Sequence, residues 1–390
     1  MTGITEILFR TPTSSLLLSS LERFLGKSRA VFGDVLLLAL RRFRRPFSLA
    51  SLHLLVRARI LPPKTLPAIP EPDEADDLAL FRRATLASVE AAGGGAGVRR
   101  RLSSPPKIAF MFLINSDIAF APVWERFFHG HERLFNVYVH ADPAAELVLP
   151  PTKSFRGRFI PAKATQRASP TLIAAARRLL AAALLDDPAN AFFALISQHC
   201  IPLHSFRYVY HALISDAGVP SPAAPLHRRH RSFIQIVADD PVLRNRYIAR
   251  GDNVMLPEVP FERFRVGSQF FVLARRHALL VVRDRRLWKK FRMPCLKKME
   301  SSCYPEEHYF PTLLDMQDPD GCTRYSLTRV NWTDSVDGHP HTYLPAEISG
   351  DLILDLRLSN STYSYLFARK FSPDCLNPLL HIADTVIFKD

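Results

Sequence analysis

The segment from Lys107 to Pro143, KIAFMFLINSDIAFAPVWERFFHGHERLFNVYVHADP, decides the fold class. Residues 107–114 form an unbroken apolar run of strand length, residues 122–128 carry a helical pattern, and residues 135–140 are a second apolar run ending in Ala141-Asp142-Pro143. Strand-length runs without polar alternation fit strands covered on both faces, so strand, helix, strand in this order reads as a βαβ unit. The alternation continues downstream. Residues 171–185 are an alanine- and leucine-rich helix, residues 191–196 a buried-strand candidate leading into Ser197-Gln198-His199-Cys200, and residues 265–273 a polar turn entering an apolar strand, with a helix over 276–283. The expectation is an α/β fold with a mixed, parallel-leaning central sheet and helices on both faces. Ligands gather at the carboxyl ends of strands in such sheets, which points to Asn115, Asp142 and residues 197–200. No glycine-rich phosphate loop follows these strands, so neither a dinucleotide fingerprint nor a Walker loop is present.

The chain has 390 residues, 47% of them hydrophobic, enough for one large core or two ordinary ones. Its formal net charge of +14 comes from 51 Lys and Arg against 37 Asp and Glu, with arginine groups at 41–45, 99–101 and 228–231. A nucleotide-sugar phosphate, an anionic membrane surface or nucleic acid would each suit that sign. Nucleic acid is set aside, because there is no zinc-ligand spacing, stacking-aromatic signature or basic helical stripe. Apolar runs at 35–40 and 49–56 are short of the roughly 20 residues that a membrane span needs, so residues 1–60 read as a cytosolic segment with a weak anchor. Five prolines between 62 and 72 and three glycines at 93–95 make residues 61–106 a stem or linker, with a helical stretch inside it, and place the catalytic domain at 107–390.

One turn most resembles chemistry: Cys303-Tyr304-Pro305-Glu306-Glu307-His308, two adjacent carboxylates after a helix-starting proline and before Tyr309, Phe310, Leu313 and Leu314. Acidic residues are favoured at a helix N-terminus by the dipole alone, so the structural reading stands beside the catalytic one. Asp318-Pro319-Asp320 matches the DxD metal pattern, but turn chemistry explains it. His140 and His199 end apolar strands as core-edge histidines. Asn331-Trp332-Thr333 and Asn360-Ser361-Thr362 are glycosylation sequons in a secretory setting.

Taken together, residues 107–114, His140-Ala141-Asp142, residues 195–203, Gly267-Ser268-Gln269, Pro305-Glu306-Glu307 and residues 367–371 resemble the core-2/I-branching β-1,6-N-acetylglucosaminyltransferase family, in particular its plant branch, over most of the chain. That resemblance implies a GT-A-like, nucleotide-sugar-binding fold and an inverting, metal-independent transferase. It would use a UDP-sugar donor, a glycan or glycoprotein acceptor and no cofactor, and would sit in the Golgi membrane with its catalytic domain luminal. Residue by residue it implies Glu307 as catalytic base with Glu306 its acidic neighbour, Asp142 on uridine, Lys370 with Arg369 on the diphosphate, and Trp332 under the acceptor sugar. His341 falls where the family has a second diphosphate arginine, and Thr165-Gln166-Arg167 stands where it has a Trp-Gly pair. These departures support the alternative of a catalytically silent, glycan- or partner-binding relative. Cys295 and Cys303 bracket the loop before Glu306, and a disulfide there would clamp the turn in an oxidising compartment.

Overall fold

The structure is a computed structural model and describes residues 74–93, 104–150, 152–215, 230–333, 335 and 338–390. The apolar runs at 35–40 and 49–56, the prolines of 62–72, the arginines of 41–45 and 99–101, and Arg228 and Arg229 lie outside the described residues. In chain order the helices and strands are α1 (Glu74–Gly93), β1 (Lys107–Ile114), α2 (Ala121–Phe128), β2 (Phe135–Ala141), α3 (Pro170–Asp186), β3 (Asn190–Ser197), β4 (Ile201–Pro202), α4 (Phe206–Ile214), α5 (Leu243–Ile248), β5 (Val272–Ala274), α6 (Arg275–Arg283), α7 (Arg286–Phe291), α8 (Glu306–Gln317), β6 (Thr328–Val330), α9 (Gly350–Arg357), β7 (Phe367–Arg369) and α10 (Leu376–Ile382).

The main sheet has the order β2-β1-β3-β5. Strand β1 is central and parallel to both neighbours, with Phe110 opposite Val137 on one side and Ala194 on the other, while β5 adds antiparallel at the β3 edge. Because side chains alternate along a strand, β1 feeds two cores at once. Ile108, Phe110, Phe112 and Ile114 enter one core with Trp124, Phe127 and Phe128 of α2 and Phe206 of α4. Ala109, Met111 and Leu113 enter the other, with α3, α6 and α8. This is why residues 107–114 are apolar without alternation. Phe110 meets Trp124, Phe127 and Phe128 edge-on with ring centroids 5.9, 5.8 and 5.1 Å apart, a preferred aromatic geometry. The buried Trp124 indole N–H donates to the Cys200 carbonyl at 3.1 Å.

A second sheet has the order β4-β7-β6; β7 is antiparallel to β4 and parallel to β6, with Val330 opposite Arg369. The sheets are therefore mixed, as expected, with helices on both faces of the larger one.

Helix α1 departs from the stem reading of residues 61–106. It belongs to the same compact unit as the main sheet and packs on α3 and α6. Asp77 pairs with the buried Arg178 and with Lys163 at 3.2 Å, and the Arg177 guanidinium lies 4.7 Å from the Phe81 ring and 4.9 Å from that of Trp288. Among the described residues no helix is long and apolar enough to cross a membrane.

Candidate active site

Pro305 starts α8 and places Glu306 and Glu307 in its first turn, where the dipole favours carboxylates. Their environments differ. Glu306 is 3% exposed; its Oε1 accepts the Ala168 amide at 2.9 Å and its Oε2 is buried without a hydrogen-bond partner. Burial, helped by the adjacent Glu307 charge, pushes its pKa up to about 7 against the opposing pull of the Ala168 amide and Arg167. Glu307 is half-buried and forms an ion pair through Oε2 with Arg246 Nη1. The Arg246 guanidinium sits 5.0 Å from the Tyr304 ring and that of Arg167 5.4 Å from it. Tyr304 itself has φ +39, a left-handed backbone uncommon for a non-glycine residue, at the residue that turns the chain into Pro305.

The backbone of Glu307 is held by a second device. Pro311 lies inside α8 and has no N–H to give the Glu307 carbonyl four residues back. The Gly267 amide supplies that bond instead, at 2.9 Å. A Cβ on Gly267 would fall 1.9 Å from the Gln235 carbonyl oxygen, so only glycine can bring this amide so close. Gly267 thus holds the N-terminal turn of α8.

Asp142 follows β2, and its Oδ2 accepts both the Thr165 amide and the Thr165 hydroxyl at 2.7 Å while Oδ1 accepts the Ala144 amide at 2.8 Å. Burial works to raise its pKa, but these donors outweigh it and hold the carboxyl below its usual range. Residues 165–168 therefore form a strap, with Thr165 on Asp142 and Ala168 on Glu306. Between them Arg167 bonds His339 Nε2 at 2.7 Å and the Gly338 carbonyl at 2.8 Å.

Arg369, on β7, stacks over Phe270 at 4.5 Å; burial lowers its pKa, and it feels the charges of Glu307 and Arg167. Lys370 follows, lowered by burial and then by Arg369 and Arg167. Its backbone carbonyl accepts the Tyr343 amide at 2.8 Å. The β6–β7 pairing brings Trp332 to the same end of the second sheet, and at 55% exposed it is not a core residue. The His341 amide bonds the Asn331 carbonyl at 2.9 Å, but its ring bonds Glu347 at 2.8 Å instead of standing free as a diphosphate donor. The structure thus pairs Glu307 with Arg246, links Glu306 to Asp142 through the strap, sets Arg369 where it feels the Glu307 charge and Lys370 where it feels Arg369, and leaves Trp332 exposed and the His341 ring on Glu347.

Other expectations resolve into local chemistry. Asp318 caps the Gly321 amide at 3.1 Å and pairs with Arg276 at 3.1 Å and His277 at 3.0 Å. Asn115 accepts from Gln198 at 2.5 Å. Burial, then Arg178, lowers the pKa of His140 to about 4; burial, then Lys370, lowers that of His199 to about 4. Cys295 and Cys303 are joined, with Cα atoms 6.3 Å apart, over the buried Arg250, whose Nη1 lies 3.7 and 3.6 Å from their sulfurs. Asn360 is exposed, whereas Asn331 is half-buried with its Oδ1 accepting the Thr333 amide at 2.9 Å. Sequence reasoning missed Arg246 and the strap's role. Arg246 sits in an arginine-rich stretch without a motif, and Arg167 registered only as a departure at a position expected to be Trp-Gly.

The sequence model of the Core-2/I-Branching enzyme family matches residues 108–357, which spans β1 through α9. Glycosyltransferase BC10 of rice (Oryza sativa subsp. japonica) is 28% identical over 313 residues, covering 68% of this chain and 74% of that protein. The matched region holds Asp142, the strap, Gly267 and the Glu306-Glu307 turn, and the chain belongs to the core-2/I-branching enzyme family as a glycosyltransferase of that type.

Proposed function

We propose that the protein is an inverting, metal-independent transferase that moves a sugar, N-acetylglucosamine by its family resemblance, from a UDP donor to a glycan or glycoprotein acceptor. The acceptor hydroxyl attacks the anomeric carbon from the face opposite UDP, Glu307 takes the hydroxyl proton, and the electron pair of the breaking carbon–oxygen bond leaves on UDP. Fixed cations must meet the charge that develops there, and in a site sheltered from water they act strongly. Lys370 and Arg369 fill that role, Asp142 holds the uridine, and the exposed Trp332 offers its ring to the acceptor. The observation that carries this reading is the convergence on one helix start: Glu307 is ion-paired to Arg246, feels Arg369, and is tied through Glu306 and the strap to Asp142. A Golgi lumen suits the Cys295–Cys303 disulfide and the exposed sequon at Asn360. The competing reading, a silent glycan-binding relative, is favoured by the His341–Glu347 pair, which occupies the ring expected on the diphosphate.

The test is turnover of a UDP-sugar panel by the full-length protein in EDTA, with mixed glycan acceptors, beside Glu307→Gln. A positioned base contributes about 10²–10⁴-fold, and a loss of that size with UDP affinity retained is the expected result. UDP binding without turnover in wild type would replace this reading with the silent relative. Turnover abolished by EDTA would overturn metal independence.

A further inference from the structure

We propose that Glu306 is a positioning residue that clamps the 165–168 strap to the catalytic helix and thereby couples donor binding at Asp142 to the placement of Glu307. The inference rests on the functional reading above and assigns a role to the second carboxylate of the turn. Its geometry is asymmetric. Oε1 takes the Ala168 amide, at a residue whose φ of +59 makes it a turn point, while Oε2 is enclosed and unpartnered. At the other end of the strap Asp142 is held by both Thr165 donors. Four residues therefore connect two carboxylates assigned to different halves of the reaction, and the strap has little slack: Gln166 N–H bonds Thr171 Oγ1 at 2.8 Å and Arg167 is fixed on Gly338 and His339.

Glu306 is poorly suited to act as a second base. Its side chain is enclosed, and burial beside the Glu307 charge favours the protonated form up to a pH of about 7. The charged groups facing it are Glu307, which disfavours a second anion, and Arg167, which favours one; His308, next along α8, is buried and held neutral, its Nδ1 on the Arg265 carbonyl at 2.8 Å. Above that pH a buried carboxylate beside Glu307 is relieved by opening the strap to water, which loosens Thr165 on Asp142.

The test uses the full-length protein with two readouts that need no chemistry: amide exchange at Ala168, corrected for intrinsic rate, and UDP affinity, each from pH 5.5 to 8.5. Glu306→Ala removes the acceptor of a buried amide, so Ala168 exchange should rise about tenfold and UDP binding weaken about fivefold. Glu306→Gln keeps an acceptor and carries no charge. It should match wild type at pH 5.5 and lack the rise in exchange and the fall in UDP affinity that wild type shows through pH 7. Unchanged Ala168 exchange in Glu306→Ala, or identical pH profiles for wild type and Glu306→Gln, would overturn the clamp. If Glu306→Ala does not fold, the Gln comparison decides alone. Absence of turnover in wild type would defeat the functional reading while these binding and exchange outcomes still judge the clamp.

Discussion

Glu306 and His308 flank Glu307, the proposed base, on α8, and burial acts on them with opposite sign. Burial raises the Glu306 pKa from 4.5 to about 7 and lowers that of His308 from 6.5 to about 3. A raised carboxyl pKa means that the folded state binds the proton more tightly than the unfolded chain. Its stabilising contribution is complete below pH 4.5 and is lost as pH rises through about 7. A lowered histidine pKa contributes above 6.5 and is lost as pH falls. Comparing wild type with Glu306→Gln cancels the His308 contribution, which both proteins share. From pH 4.5 to 7.5 the Gln protein should gain up to about 3 kcal/mol relative to wild type, from about 1.4 kcal/mol per pKa unit. Urea unfolding at pH 5 and pH 8 measures this, and a difference that does not change with pH would mean that Glu306 is not protonated in the fold.

At the scale of elements, the N-terminus of α8 is set by the meeting of Pro311 and Gly267. A proline in the second turn of a helix leaves a carbonyl open, and the carbonyl it opens is that of Glu307. Gly267→Ala would push a Cβ into the Gln235 backbone and move the amide that closes it. The expected cost is about 1–3 kcal/mol by urea unfolding, together with a fall in turnover at unchanged UDP affinity. Full activity in Gly267→Ala would show that the Gly267–Glu307 bond does not position the base. Much of this architecture was legible beforehand. The doubly covered strands lack polar alternation, α3 announces itself by its alanine- and leucine-rich run, and Pro305 marks the start of α8. The strap was not legible, because residues 165–168 have no periodicity and their meaning lies in two backbone amides, Thr165 and Ala168, that any residue except proline could supply. Arg246 was missed for a related reason: its partnership with Glu307 crosses 61 residues of chain and leaves no local signature.

For the molecule as a whole, the attachment of α1 is the feature that a domain beginning at Lys107 would have removed. Proline and glycine composition around this helix argued for a spacer, and composition has no access to what lies opposite Asp77. There the Arg178 side chain is 1% exposed, and outside its ion pair with Asp77 its guanidinium nitrogens have no hydrogen-bond partner among the described residues. The same carboxylate pairs with Lys163, two residues before Thr165, and the Lys163 amide donates at 3.4 Å to Nε2 of His140, two residues before Asp142. Removing one partner of a buried pair leaves a charge that the interior cannot solvate, at a cost of about 3–5 kcal/mol. Asp77→Ala should therefore lower the urea midpoint by that equivalent. Asp77→Ala with Arg178→Met should recover most of the loss, because a buried pair replaced by apolar groups is often neutral. The double variant separates two causes. If it is as unstable as Asp77→Ala alone, the orphaned Arg178 charge is not the cause of the loss; recovery would mean that apolar contacts suffice to hold α1 and that Asp77 is needed to neutralise the buried Arg178.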